Sequence, residues 1–268
     1  MIDSPLEVGP ILSHALAWLL VVMRLAGLFM LAPMLSSIMI PARFKMLLVA
    51  MLGAAVYPMV PVEIPAVTDV WELLPMLVRE AAIGFVIGLI AAVPLLTLEM
   101  AGVIMGQTMG FGLARVFTPE MGIDTDLLGQ LLFMVAMGVF IALGGMEWML
   151  GATIDSLRIV PIGGLSLKEP PLELLLAVMS AGFELALRVS LPVVGIVLLI
   201  VVALGVMGKT MPQLNVMTVG FMVKILAGLL FLAMSLAAAR DAGGDKVVEG
   251  LRAASGWVES LGPGEIGR

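Results

Sequence analysis

The sequence predicts an all-α integral membrane protein of five to six long apolar helices arranged as hairpins. Composition is the first reason: of 268 residues, 61% are hydrophobic and 13% charged, against roughly 45–50% and about 25% in soluble domains. Patterning is the second, because the apolar residues fall into runs near or above the ~20 residues that cross a bilayer. The third is what the chain lacks. With no cysteine and one histidine, His14, it offers no disulfide, thiolate nucleophile, iron–sulfur cluster, or two-histidine metal or haem site. No cofactor, metal or catalytic residue is expected. A net charge of −6 leaves no basic face for nucleic acid.

The first span runs from Ile11 to Ala32, bounded by Pro10 and Pro33 and crossing despite Arg24. The second, Met46 to Val60, is a short span or a protein-covered helix. The third, Ala81 to Leu98, is interrupted by Pro94, and the fourth reads as one helix from Leu127 to Leu150. A fifth begins amphipathically near Leu172 and is wholly apolar from Val189 to Met207, with Pro192 inside; the sixth is Val219 to Ala239. The stretch 1–240 therefore forms a single membrane-embedded domain. The Gly-rich tail, 241–268, is polar and exposed, with a short amphipathic pattern at Val247, Leu251, Ala254 and Val258.

The N-terminus MIDSPLEVGP has no lysine or arginine, so it lacks the basic start of a cleavable signal peptide and the first helix is expected to stay. With six spans, the side holding both termini carries Arg79, Arg158, Lys168, Arg240, Lys246, Arg252 and Arg268. The other carries Arg43, Lys45, Arg115 and Lys209. The bias favours cytoplasmic termini.

Lipid tails are as apolar as leucine, so helices in a bilayer associate through small residues that let backbones approach. Gly84 and Gly88 in GFVIG, and Gly102, Gly106 and Gly110 in GVIMGQTMG, make such grooves. They serve packing within the chain or contact with another subunit. Methionine is in excess at 23 residues, and flexible thioethers fill irregular gaps. Met105 and Met109 accordingly read as soft core or as a deformable constriction, beside the segment FGLARVFTPEMGIDTD. There Gly110, Gly112, Pro119 and Gly122 break helix while Phe111, Phe117 and Met121 stay apolar beside Arg115 and Glu120. Non-helical backbone between spans belongs at the membrane surface or along a cavity.

Ionisable residues inside apolar runs are costly and default to function. Arg24, Glu147, Glu184, Arg188 and Lys224 qualify. Glu184 and Arg188 are four apart on one helix face and can neutralise each other. Arg24 and Lys224 have no local partner and need an acid or carbonyls on another helix, with Glu147 or another chain as candidates. The stretch ALGVMGKT, Ala203 to Thr210, mimics a phosphate loop. It follows an apolar helix instead of a strand and lacks the first glycine, so no nucleotide is expected. HExxH is absent, and a serine dyad would have only His14.

Four stretches together resemble the flagellar biosynthetic protein FliR family, the R component of the type III protein export apparatus. They are RLAGLFMLAPMLSSIMIPARFKMLLVAML from Arg24, GQTMGFGLARVFTPEMG from Gly106, RIVPIGGL from Arg158 and MPQLNVMTVGFMVKILAGLLFLAM from Met211. The resemblance runs from about Leu16 to Met234. The chain departs from it at Thr118, where the family usually has Asp, and at Gly144 to Glu147, where it usually has Asn-Gly-His.

The resemblance implies a core subunit of the export gate in the bacterial inner membrane and flagellar basal body. It would have a P-like part over about 1–165 and a Q-like hairpin over 172–240. Its implied partners are the P and Q subunits, the B and A subunits, unfolded protein cargo and membrane lipid. A plug-like loop in the pore maps to Gly110, Phe111, Gly112, Arg115, Phe117, Pro119, Glu120 and Met121. The alternatives are a secondary transporter of a small solute or ion, suggested by Pro94 and Pro192 in two spans, and a structural membrane anchor.

Overall fold

The computed structural model describes residues 8–36, 40–59, 70–112, 127–160, 162, 172–211 and 218–234. All regular structure among them is helical: α1 (Val8–Leu31), α2 (Ala42–Val56) with a 3-10 turn at Tyr57–Met59, α3 (Val70–Met109), α4 (Leu127–Ala142), α5 (Gly145–Ile159), α6 (Leu172–Thr210) and α7 (Thr218–Met234). Four of these helices are long and apolar enough to cross a membrane, or five if α4 and α5 count as one broken span.

Leucine, alanine and methionine make up half of α1, and all three are strong helix formers. It stops before Pro33, whose ring disfavours helical geometry in the preceding residue. Met34 then turns the chain with a φ of 68°. Pro41 caps the start of α2, where a missing N–H costs nothing. α2 and its 3-10 turn make an 18-residue stretch from Ala42 to Met59, of which 17% is buried. Among the described residues, little covers this second span.

α3 has 40 residues and α6 has 39, so each extends about 60 Å at 1.5 Å per residue, roughly twice the hydrocarbon thickness. The sequence placed breaks at Pro94 and Pro192; both helices run through them. At the first, Thr97 Oγ1 donates to the carbonyl oxygens of Val93 (2.8 Å) and Pro94 (2.9 Å), adding bonds around the disturbed turn. The broken-helix basis for a transporter therefore disappears.

The fourth span needs the opposite correction. It is two helices, separated where Gly144 adopts a left-handed conformation (φ 73°) and its carbonyl accepts the first bond of α5 from the Trp148 N–H. Glycine meets no Cβ penalty there, and hydropathy alone is blind to such a stop. ALGVMGKT forms the last turns of α6 and is no loop. The sixth helix is described to Met234; the tail and its amphipathic pattern lie outside the described residues.

The chain packs as two compact units. The first takes in Met1–Ala92 and Leu143–Leu175, and the second Val93–Ala142 and Leu176–Glu249. The core of the first is Leu20, Val21, Leu25 and Phe29 of α1 with Val49 and Val56 of α2 and Leu157 of α5. That of the second joins α3, α4, α6 and α7 through Met105, Met109, Leu132, Val189, Val193 and Leu232.

Candidate functional site

In the first unit the charge inside α1 is fully partnered. Arg24 is 0% exposed and Glu80 1%. The arginine Nε donates to Glu80 Oε2 at 2.6 Å, Nη1 to Ser156 Oγ at 3.2 Å and Nη2 to the Val160 carbonyl oxygen at 3.4 Å. A planar guanidinium with five donors can serve α3, α5 and the residue after α5 at once. The acid for Arg24 is thus Glu80, not Glu147. Glu147 is exposed in the first turn of α5, where free N–H groups favour a carboxylate.

The ion pair lies on a close helix crossing. A Cβ on Gly27 would overlap the Ala81 carbonyl oxygen, one on Gly84 the Arg24 carbonyl oxygen, and one on Gly88 would stand 2.8 Å from the Leu28 oxygen. Glu80, Gly84 and Gly88 follow at steps of four, so acid and glycines share one stripe of α3. Sequence reasoning treated the glycines and Arg24 separately. The acid one turn before GFVIG was the available signal.

In the second unit, a Cβ on Gly102 would stand 2.6 Å from the Leu128 oxygen and from Gly129 Cα, so α3 and α4 meet backbone to backbone. Gly106 is buried. The described contacts of Gly84, Gly88 and Gly102 are thus within the chain. Met105 and Met109 are fully buried, and Met109 presses on Gly228 of α7, whose Cβ would lie 2.7 Å from its Sδ. Gly129 and Gly228 were not singled out in the sequence.

α3 ends at Gly110, as the glycine pattern predicts, with a φ of 101°. Its N–H donates to Gln107 O at 3.1 Å and that of Phe111 to Gly106 O at 3.0 Å, the paired bonds of a glycine helix stop. Phe111 then packs on the methionine core. Arg115, Phe117, Pro119, Glu120 and Met121 lie outside the described residues. Glu184 and Arg188 form the expected ion pair on α6, exposed. Lys224 is half-buried on α7 and has no ion pair among the described residues.

The described residues thus combine long apolar helices, a buried Arg24–Glu80 pair neutralised within the fold and a methionine core ending in a glycine stop. The chain matches the model of Bacterial export proteins, family 1, over residues 15–246. It belongs to this family. It is 27% identical to the flagellar biosynthetic protein FliR of Escherichia coli, over 79% of this chain and 80% of the relative. Identity to the FliR of Bacillus subtilis is also 27%, over 82% and 86%. The surface presentation of antigens protein SpaR of Salmonella typhimurium is 28% identical over 80% and 79%. The FliR resemblance is therefore confirmed, and this bacterial export protein is a membrane component of secretion machinery and not an enzyme.

Proposed function

We propose that this bacterial export protein is the R component of a type III export gate. It would join P and Q subunits in the inner membrane and contribute to the channel for unfolded cargo, with B and A subunits as further partners. The observation that carries this reading is the family match over residues 15–246, with relatives named for flagellar biosynthesis and for surface presentation of antigens. Open apolar flanks support it: 17% of α2's apolar stretch and 22% of α6's is buried within the chain, leaving faces for lipid or other subunits.

In this reading the segment that follows the α3 glycine stop is the plug. Gly110 redirects the backbone, Phe111 anchors its start on the core, and Phe117 and Met121 supply apolar surface able to exclude water from a constriction. Co-expression with neighbouring export subunits tests assembly: co-elution in one large complex is expected, and a stable monomer that transports a small solute overturns the reading. Removing Phe117 to Met121 tests the plug. The shortened chain should assemble yet make membranes conductive to ions, and an unchanged conductance sinks the plug assignment alone.

A further inference from the structure

We propose that a groove along α2 binds an anionic phospholipid, its phosphate held by Arg43 and Lys45 and one acyl chain lying along Phe44, Leu47, Leu48 and Met51. The groove is about 190 Å³ and open on one side; Phe29 and Leu35 close it from α1 and the turn after it, and Lys45 is its one charged lining residue. Compact ligands fill pockets of roughly 300–1,000 Å³, and a partner helix is about 10 Å across. The space suits a single hydrocarbon chain better than either.

Charge selects the headgroup. From Val8 to Val62 the chain has no aspartate or glutamate. Among the described residues neither Arg43 nor Lys45 has an ion-pair partner. Both sit in the first two turns of α2, which has no acidic residue in its first turn and no side-chain cap. Two cations at the positive end of a helix repel its dipole, and an anion placed among them removes that penalty. Arg43 is exposed and Lys45 half-buried, so the lysine stem can follow the groove while its ammonium reaches the interface. Apolar groove and cationic mouth together match a lipid whose phosphate is not neutralised by its own headgroup.

The test uses the full chain, purified with its co-expressed subunits and placed in nanodiscs containing phosphatidylglycerol with a photoreactive acyl chain. Labelling should concentrate between residues 44 and 51. Unlabelled phosphatidylglycerol should compete it away and phosphatidylcholine should not. Arg43→Gln with Lys45→Gln should lower labelling roughly thirty-fold, the effect of two charges at about 1 kcal/mol each. Equal competition by phosphatidylcholine, a finding that needs no variant, overturns the proposal. Unchanged labelling of the double variant does so too. Absence of label on α2 overturns it in favour of a protein subunit in the groove.

Discussion

In the first unit α1 and α3 touch backbone to backbone at Gly27 and Gly84 beside the buried Arg24–Glu80 pair. In the second, a methionine side chain fills the gap between α3 and Gly228 of α7. The first crossing has fixed atoms on both sides and a directional bond that demands one register. The second has a thioether with three rotatable bonds, which can refill a changed space. Two ways of joining apolar helices thus occur in one chain, one locked and one adaptable, and the adaptable one adjoins the proposed plug.

The largest effect should come from breaking the lock. Glu80→Ala leaves a guanidinium that is 0% exposed without its carboxylate, which costs about 3–5 kcal/mol in comparable buried pairs. Unfolding of the purified protein in detergent should fall by that amount, with loss of chain from membranes. Arg24→Leu combined with Glu80→Leu should recover most of it, since well-packed apolar replacements of buried pairs are often neutral. Normal stability of Glu80→Ala would mean that α1 and α3 are held by glycine contact alone.

Next comes the same added methyl group in both units. Gly84→Ala drives a Cβ into the Arg24 carbonyl, and backbone cannot step aside; a loss near the upper end of the ~1–3 kcal/mol typical of overpacking is expected. The nearest atoms that Gly228→Ala meets are Cγ, Sδ and Cε of the flexible Met109, so about 1 kcal/mol is expected. Adding Met109→Val should restore it. Equal losses at the two sites would erase the distinction between locked and adaptable crossings.

Much of this was legible in the sequence, because helix type follows from composition and run length. The glycine stop at Gly110 and the Glu184–Arg188 pair were readable from local spacing. What was not legible depended on distance in space. Glu80 is 56 residues from Arg24, and no periodicity links them until α1 and α3 are packed. Pro94 and Pro192 read as breaks because propriety of a helix is judged locally, whereas long packed helices carry a proline through. Gly144 was missed for the reverse reason: it interrupts a run that stays apolar on both sides.

The smallest effect should be at Glu184, and it locates α6 in the bilayer. Glu184 and Arg188 are exposed and four residues apart, an arrangement worth about 0.3–0.5 kcal/mol in water. In hydrocarbon, an arginine left alone at mid-depth costs roughly 2.5–3.5 kcal/mol. The uncharged stretch Val189 to Met207 spans about 28 Å of helix, nearly the ~30 Å hydrocarbon thickness, which leaves the pair at or beyond its edge. Glu184→Gln should therefore cost no more than about 0.5 kcal/mol in unfolding measured both in detergent and in bilayers. A loss above about 2 kcal/mol that appears only in bilayers would put the pair inside hydrocarbon, and the apolar stretch of α6 would then have to sit across the membrane in a different register.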